Sequence, residues 1–573
     1  MRGSYGPKFD KYFTYDELTE WLKKKASQYS NFIDLESIGL SHEERDVWAV
    51  TLTNKETGSA EHKPAVYVDG NIHAGEVTGS MICLYLIDYL VENFSTDDHA
   101  AKLLNDRVFY IIPRANPDGA EKYLTTPETL RSSVRIYPEY RKDEDPPGLH
   151  TEDIDGDGRI LLMRVRDDAR GAWKADSEDP RLMVERTPLD LEGPFYHIYS
   201  EGRVRDEDGE LVEEPEIPFR PVPTEYGLDL NRNFPAGYDP KTKGAGPYPL
   251  SEPETQNLVE FISEHNNIGA AAIFHTTGGV LFRPHSTIAD EDFNKEDMDM
   301  YKTLGQMGTD ATGYPVVCCY GDIWSGVLDD WCWEHRGIYA FTPELWDAVG
   351  RAAPEMKKPP QEMSQMNREE RRKLALRLLK WNDTELAGEG FIPWYRYNHP
   401  QLGEVELGGW VTKKCRQNPP ENLLSAECHK NIKFPIALGL SLPEVHIDEI
   451  QVSQLSECDY LLSVVVSNHG YLDTRISKQA EKQQAVRKDV VKLAVDDSVG
   501  LLSGQKVTEI DHLQGYASGQ ASRFYRVGEP AESARRLKWT LRLREPQSTQ
   551  IEVVLQSERG GTDKTSVNFG ESD

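Results

Sequence analysis

Three apolar runs of the sequence each lead directly to a side chain that could bind a metal ion or move a proton. One run enters a glycine-rich turn that carries His73 and, three residues later, Glu76. The other two lead to His275 and Glu344. An imidazole and a carboxylate three residues apart can chelate one Zn²⁺ ion, which needs one more ligand and an open position for catalysis. These four side chains are therefore candidates for one metal-dependent site.

Taken alone, the pair of His73 and Glu76 has a second interpretation. Such pairs also occur by chance, and a glutamate at this position can simply stabilise the start of a helix. A further segment, Asp-Leu-Asn-Arg-Asn, contributes Asn231 and Arg232. An arginine guanidinium binds a carboxylate through two parallel hydrogen bonds, so this pair could hold a carboxylate of a bound molecule.

The elements that must position these groups alternate between strands and helices. Apolar and β-branched runs predict strands at 46–53, 64–69, 108–112, 270–274 and 339–342. Apolar stripes predict helices at 77–91 and 367–380. This alternation predicts an α/β fold with a mixed, mostly parallel sheet flanked by helices. The candidate residues follow the carboxyl ends of predicted strands, where such sheets place their sites.

Residues 136–225 interrupt the pattern with short polar segments that hold 25 acidic and 12 basic residues. We predict that they form an acidic insertion on the core. Within it, Asp153, Asp155 and Asp157 match the start of a calcium loop, but Arg164 occupies the twelfth position, where that loop needs a glutamate. A turn built on aspartate and glycine explains the same residues, and we favour the turn over calcium.

The pattern of the last third of the chain predicts short strands separated by polar turns. Val491, Leu493 and Val495 alternate with polar residues, and the run 537–543 repeats the pattern. These features predict a C-terminal all-β sandwich domain. We expect a catalytic domain at 1–387, including the insertion, and the sandwich at 388–573, although residues 388–410 could belong to either.

The composition excludes several classes of function. The net charge of −31 opposes contact with phosphate backbones and anionic membranes, so we expect no nucleic-acid partner. We find no apolar stretch long enough for a membrane span and no signal peptide. The seven cysteines lack the dense pairing of secreted disulfide scaffolds. We therefore expect a cytoplasmic location.

Seven short motifs occur in an order that resembles the zinc carboxypeptidase family of the carboxypeptidase A type (peptidase family M14). The motifs lie at 73–76, 116–119, 229–233, 251–254, 275, 320–331 and 342–345. The resemblance extends over residues 13–380, with the acidic insertion as an addition. It implies a zinc-dependent metallocarboxypeptidase that hydrolyses the C-terminal bond of peptides or proteins with a free terminal carboxylate.

The resemblance also assigns a role to each residue around the metal. His73, Glu76 and His275 become the ligands of one zinc ion per chain. Asp229 falls where the family has a carboxylate that orients the first histidine, although an aspartate there could also serve only as a turn residue. Glu344 matches the general base that activates the zinc-bound water and later protonates the leaving amine.

Four further residues match groups that contact the substrate. Arg131 corresponds to the arginine that stabilises the oxyanion, with Arg135 as the competing position. Asn231 and Arg232 correspond to the pair that holds the terminal carboxylate. Tyr320 corresponds to the tyrosine that caps the bound end residue, although a tyrosine there could equally be a core residue.

The end-residue pocket has two candidate positions. Counting back from Trp331 places Asp329 at the position that sets specificity in the family, and a buried carboxylate there would favour a lysine or arginine side chain. Counting forward from Tyr320 places Leu328 there instead, which would favour an apolar residue. Asp329 could also be an ordinary solvated loop residue. Thr277 replaces a tyrosine of the digestive members, so we expect different subsites before the scissile bond.

Two other functions stay open at this point. One is a related zinc amidohydrolase that acts on acyl-amino acids or cell-wall peptides. The other is a catalytically inactive, peptide-binding relative, although His73, Glu76, His275 and Glu344 are all present.

The catalytic pattern begins at residue 12, so we also expect no inhibitory prosegment and an enzyme that is active as synthesised.

Overall fold

The structure is a computed structural model that describes residues 9–136, 146–321, 324–496, 498–518, 532–544 and 549–569. The first described segment forms, in order, α1 (Tyr15–Gln28), β1 (Ile33–Leu40), β2 (Asp46–Leu52), β3 (Ala65–Gly70), α2 (Thr78–Glu92), α3 (Asp98–Asp106), β4 (Val108–Ile112) and α4 (Pro117–Thr125). The predictions of β2, β3, β4 and α2 are each within one residue of the observed bounds.

The predicted insertion contains six short strands in its described part. They are β5 (Gly148–Thr151), β6 (Leu162–Arg166), β7 (Trp173–Ala175), β8 (Met183–Glu185), β9 (Tyr196–Ser200) and β10 (Gly202–Arg205). Residues 137–145 of the predicted insertion lie outside the described residues. β5 and β10 form a separate two-stranded ribbon, whereas β6 to β9 join a larger sheet.

The second half of the α/β core follows the insertion. Its elements are α5 (Pro253–Glu264), β11 (Ile268–Thr276), β12 (Val280–Arg283), α6 (Lys295–Thr312), β13 (Val316–Cys318), α7 (Leu328–Arg336), β14 (Tyr339–Leu345), α8 (Ala348–Ala352), α9 (Pro360–Ser364) and α10 (Arg368–Glu385). Together with the first part they build an eight-stranded sheet in the order β1-β2-β4-β3-β11-β14-β12-β13. The four central strands run parallel, which confirms the predicted mixed sheet.

Burial on both faces explains why the central strands are almost continuously apolar. Val66 and Val68 of β3 pack into the core beneath α2, whereas Ala65 and Tyr67 point into the core on the other face. Every residue of β3 and β11 is buried. A parallel strand covered by helices on both sides needs apolar residues at every position, and this need produces the runs seen in the sequence.

The segment after α10 packs with the α/β core and the insertion and not with the sandwich. It forms β15 (Phe391–His399), β16 (Gly403–Trp410), α11 (Glu421–Asn431) and α12 (Lys433–Ser441). β16 pairs with β6 of the insertion, which gives a six-stranded sheet in the order β15-β16-β6-β9-β7-β8. Leu424 and Phe434 of the two helices are part of the main α/β core. The predicted start of the sandwich at 388 is therefore too early.

The sandwich itself begins at Val445. Its elements are β17 (Val445–Gln454), β18 (Asp459–Asn468), α13 (Lys478–Lys482), β19 (Asp489–Ala494), β20 (Val499–Ser503), β21 (Val507–Ile510), β22 (Ala534–Leu543), β23 (Thr549–Ser557) and β24 (Gly561–Phe569). The two antiparallel sheets have the orders β17-β18-β22-β20 and β21-β19-β23-β24. The alternating residues Val491, Leu493, Trp539 and Leu541 point into the core between them.

Buried polar contacts join the sandwich to the α/β core. Arg559 of the sandwich donates to the backbone oxygens of Asn266 and Arg336 at 3.1 and 2.9 Å. Asp297 of α6 accepts hydrogen bonds from the backbone nitrogens at the start of α13. Among the described residues, no helix combines the length and the apolar character that crossing a membrane requires.

Candidate metal centre and active site

Three metal-binding side chains converge at the carboxyl ends of the central strands. His73 Nδ1 lies 2.9 Å from Glu76 Oε1, and His275 Nδ1 lies 3.0 Å from Glu76 Oε2. The two Nδ1 atoms are 3.0 Å apart. All three residues are buried. The structure thus brings together the three residues that the sequence predicts as one ligand set.

The turn after β3 is shaped so that His73 and Glu76 point to the same side. Asn71 has a φ of +65°, and its side chain donates to the backbone oxygens of His73 and Ala74. Gly70 packs directly against Gly79 at the start of α2, because a Cβ atom on Gly70 would lie 2.6 Å from the Gly79 carbonyl carbon. Helix α2 can therefore begin close to the end of the strand, with both ligands between them.

The donor set fits a borderline cation such as zinc. Two imidazole nitrogens that face each other at 3.0 Å cannot both carry a proton without repulsion, so at least one lone pair faces the space beside Glu76. Two nitrogens and a carboxylate form the ligand set of many catalytic zinc sites. His73, Glu76 and His275 are therefore suited to hold the ion and to leave a further coordination position open.

Asp229 fixes the orientation of the first histidine. It caps the 3₁₀ turn Leu230–Arg232, and its Oδ1 lies 2.9 Å from His73 Nε2. Burial acts to raise the pKa of Asp229, but His73 and Arg131 outweigh it and hold the pKa well below its usual range. An ionised Asp229 accepts a hydrogen bond from the Nε2–H group of His73, and this tautomer leaves the Nδ1 lone pair free for a metal.

Arg131 lies at the metal ligands, whereas Arg135 does not. Arg131 Nη1 is 3.1 Å from Glu76 Oε1, and its Nε is 3.3 Å from Asp229 Oδ2. About half of its side chain is exposed, so its donors can also reach a bound molecule. Arg135 Nη1 instead contacts Glu252 at 2.6 Å. Of the two predicted positions, the structure therefore places only Arg131 in contact with the metal ligands.

Glu344 faces the same space from the neighbouring strand. β14 runs parallel to β11, and the pairing register sets Glu344 beside His275. Glu344 also lines a cavity with His73, His275 and Arg131. Burial and the negative charge of Glu76 raise the pKa of Glu344 well above its usual range, against the opposing effect of Arg131. A carboxyl group here is a suitable proton acceptor for a metal-bound water.

The same cavity is lined by three of the four residues predicted to bind substrate, Asn231, Arg232 and Asp329. Arg232 and Asn231 line it, and Asn231 Oδ1 accepts a hydrogen bond from the Leu328 backbone at 3.0 Å. Asp329 lines the cavity in the first turn of α7, and its side chain is buried. Burial raises the pKa of Asp329, and His275 acts in the opposite direction. Leu328 is fully buried in the core and is absent from the cavity wall, so of the two candidate positions only Asp329 lines the cavity.

Tyr320 is not part of the cavity wall. It is 53% exposed, whereas Trp324 from the same aromatic segment lines the cavity. The Trp324 ring lies 5.2 Å from the ring of Phe282 and 5.9 Å from the Arg232 guanidinium. Sequence reasoning missed Trp324 and Phe282. The abundance of aromatic residues in the segment was a signal for the first, whereas nothing in the sequence pointed to the second.

The calcium-like turn has the geometry of an aspartate turn. Asp153 accepts hydrogen bonds from the backbone nitrogens of Gly156 and Gly158 at 2.8 and 2.9 Å. Glu201 from the end of β9 lies within reach of Asp153 and Asp155, so three carboxylates approach one another. Both oxygens of Glu201 already accept backbone hydrogen bonds. These contacts agree with the favoured turn interpretation.

Comparison with known proteins identifies the class to which this fold and site belong. A family model described as "Zinc carboxypeptidase" matches residues 18–153 and 201–373, together more than half of the chain. The chain belongs to the zinc carboxypeptidase family. It is accordingly a hydrolase of the metallocarboxypeptidase class, whose members use a zinc ion and act on peptides. A second model, "Domain of unknown function (DUF8731)", matches residues 444–568, the region of the sandwich.

Several relatives share parts of the sequence. Carboxypeptidase B of Astacus astacus is 35% identical over 346 residues, which cover 59% of this chain and 86% of that protein. Human carboxypeptidase A6 is 24% identical over 369 residues, covering 62% of this chain and 65% of that protein. Human carboxypeptidase D is 31% identical over 116 residues, 20% of this chain and only 8% of that protein. Among solved structures, thrombin activatable fibrinolysis inhibitor matches with a TM-score of 0.42 and 14% identity, covering 76% of this chain and 77% of that one.

Proposed function

We propose that this protein removes single residues from the free carboxyl ends of peptides or proteins, with His73, Glu76 and His275 as the zinc ligands. The observation that carries the proposal is the convergence of this ligand set with Glu344 and Arg131 around one cavity. A zinc ion bound there supplies a Lewis acid and lowers the pKa of a bound water molecule. The protein side chains supply positioning and proton transfer.

Each side chain around the ligands has one task in the hydrolysis. Glu344 takes a proton from the attacking water and delivers it to the amine that leaves. Arg131 has donors free to approach the oxygen on which negative charge develops, because half of its side chain is exposed. Asp229 keeps His73 in the tautomer whose Nδ1 lone pair faces the metal.

The terminal carboxylate of the substrate is bound by Arg232 with the help of Asn231. The guanidinium is largely desolvated, and burial lowers the pKa of Arg232. A charged guanidinium in such a place gains from a carboxylate that pairs with it. A peptide amide cannot supply this charge. The enzyme should therefore distinguish a free carboxyl end from a blocked one.

The side chain of the end residue enters the part of the cavity that contains Asp329. This buried carboxylate favours a positively charged lysine or arginine, since leaving it unpaired is costly. Trp324 and Phe282 add aromatic walls, which attract a guanidinium or ammonium group through their ring faces. The preferred substrates are therefore peptides that end in a basic residue.

The proposal is tested by incubating the purified protein with a mixed peptide pool and with matched peptides that have a free or an amidated carboxyl end. Release of single end residues from the free peptides alone is the expected result. Preferential hydrolysis of N-acylated single amino acids would identify the protein as the amidohydrolase. Binding of peptides without hydrolysis, in protein loaded with zinc, would identify it as an inactive relative.

A further inference from the structure

A second cavity lies beside the ends of the strands that carry His275 and Glu344. It has a volume of about 310 Å³ and shares no lining residue with the cavity that contains Asp329. Thr277 and Gly278, which come two and three residues after His275, form part of its wall. A Cβ atom on Gly278 would lie 3.7 Å from the Cβ of Glu344. The second cavity is therefore separated from the general base by little more than one glycine.

The interior of this cavity is apolar and its rim is basic. Val280, Trp346 and Leu378 contribute apolar surface. Three cations, Lys357, Lys358 and Arg416, line the cavity against a single carboxylate, Asp347. In a chain with a net charge of −31, such a local excess of positive charge beside the active site is unusual. It favours a bound group that carries negative charge.

Only one of these cations is available to a ligand. Lys357 pairs with Asp347 and donates to the Gly279 backbone oxygen at 2.7 Å. Lys358 pairs with Glu370 at 3.4 Å. Within the described part of the chain, Arg416 has neither an acidic partner nor a hydrogen bond. Its guanidinium carbon lies 5.4 Å from the centre of the Trp410 ring, a contact that leaves its donors unused.

The backbone that carries Arg416 is anchored to the turn that holds the metal ligands. Asn418 donates to the backbone oxygen of Gly75, which lies between His73 and Glu76, at 2.7 Å. Asn418 also accepts from the backbone nitrogen of Thr78 at 3.2 Å. Gln417 accepts from the hydroxyl of Tyr123 at 2.9 Å. These bonds connect the loop that carries Arg416 to the turn that holds His73 and Glu76.

We propose that the second cavity binds the substrate residues that precede the scissile bond and that Arg416 selects an acidic side chain among the nearest three of them. The proposal rests on the proposed function, because a peptide whose last residue fills the first cavity must leave across the strand ends. The substrates are then peptides with aspartate or glutamate shortly before the end residue. An unpaired guanidinium binds such a carboxylate bidentately, and the apolar interior accepts the methylene groups beside it.

The test compares peptides that differ only by glutamate or glutamine at each of the three positions. kcat/KM is measured for the wild type, for Arg416→Gln and for Lys414→Gln. Lys414 lies in the same loop but is exposed, pairs with Glu421 and does not line the cavity, so it is a matched control for charge. At one of the three positions, we expect kcat/KM of the wild type to be about three- to tenfold higher for glutamate than for glutamine, because KM is lower. The ratio should fall to about one in Arg416→Gln and stay unchanged in Lys414→Gln.

The outcomes separate this inference from the proposed function. If peptides are hydrolysed but the wild type has no preference for glutamate, or Arg416→Gln keeps that preference, the acidic subsite is refuted. If no peptide is hydrolysed, the proposed function fails. In that case, calorimetric dissociation constants for the same peptides test the subsite without hydrolysis. Wild type should bind the glutamate peptide more tightly than the glutamine peptide, and Arg416→Gln should not. The preference should also weaken at high salt, because the guanidinium is at the rim of the cavity.

Discussion

The position of Glu344 shows how one carboxyl group can be prepared for proton transfer. It lies beside the ligand His275 in the neighbouring strand, and it shares its surroundings with the carboxylate of Glu76. Burial and that second negative charge both favour the protonated form, whereas Arg131 favours the ionised one. The net effect raises the pKa of Glu344 well above its usual range, which makes its carboxylate a stronger base.

Replacing Glu344 by glutamine removes the proton acceptor and keeps the shape. We expect kcat for peptide hydrolysis to fall by about 10² to 10⁴, while the zinc content stays at one ion per chain. Steady-state kinetics and metal analysis on the same sample measure both quantities. A variant whose kcat stays within about tenfold of the wild type would place the base elsewhere.

If the proposed function holds, the residue at 329 should set the preference for the end residue. Asp329 is buried in the cavity wall, so its replacement by alanine should abolish a preference for arginine over leucine. We expect kcat/KM for peptides ending in arginine to fall by at least about tenfold, since hydrogen bonds to a charged group contribute about 1.5 to 3 kcal/mol. Peptides that end in arginine, leucine or glutamate provide the comparison. A wild type that prefers leucine would contradict the assignment.

At the scale of elements, the central sheet was predictable and its surroundings were not. Strands buried on both faces leave continuous apolar runs, which located β3, β11 and β14 and the polar residues at their ends. The helices α11 and α12 were missed, because α12 is apolar on nearly every side and carries Pro435 in its first turn. A segment of this kind has no stripe that distinguishes a buried helix from a strand.

Two further differences have a common physical cause. β16 pairs with β6, which lies about 240 residues earlier in the chain, and no local pattern encodes such a pairing. Trp324 and Phe282 meet in the active-site cavity because β12 folds back antiparallel to β14. Composition and spacing identified the residues at strand ends, whereas the cavity wall depends on how distant segments pack.

The loop between β16 and α11 should be necessary for the stability of the metal turn. Asn418 is fully buried and bonds to the backbone at Gly75 and Thr78. Asn418→Ala leaves these backbone groups unpaired, so we expect the free energy of unfolding to fall by about 1 to 3 kcal/mol. Urea denaturation monitored by tryptophan fluorescence measures the change. Thr412→Ala, at an exposed site in the same loop, is the control, and an equal effect of both substitutions would contradict the expectation.

At the scale of the whole molecule, ion pairs contribute to the contact between the sandwich and the α/β core. Glu444, just before the first sandwich strand, contacts Lys102, Arg107 and His446. Burial acts to raise the pKa of Glu444, but Lys102 and Arg107 outweigh it and lower the pKa to about 2. Because the pKa is lower in the folded state, the ionised carboxylate stabilises the fold above the unfolded pKa of about 4.3.

The contribution of Glu444 to the free energy of unfolding should therefore decrease as the pH falls. Glu444→Gln should lower the free energy of unfolding at pH 7 by up to about 3 kcal/mol. The difference from the wild type should shrink between pH 5 and pH 2, as the carboxylate of the wild type becomes protonated. Glu449→Gln, which removes a solvent-exposed ion pair with Arg536, should change stability by less than about 1 kcal/mol. Urea titrations over this pH range measure both variants, and a difference that is constant with pH would refute the expectation.

The role of zinc in peptide hydrolysis is tested most directly by measuring release of the end residue before metal removal, after it, and after adding back one equivalent of Zn²⁺. We expect one zinc ion per chain in the active protein, loss of activity in the metal-free protein, and recovery with one equivalent of Zn²⁺. The His275→Ala variant should bind no zinc when one equivalent of Zn²⁺ is added, and its activity should not recover. Full peptide hydrolysis by protein shown to be free of metal would contradict a zinc centre formed by His73, Glu76 and His275.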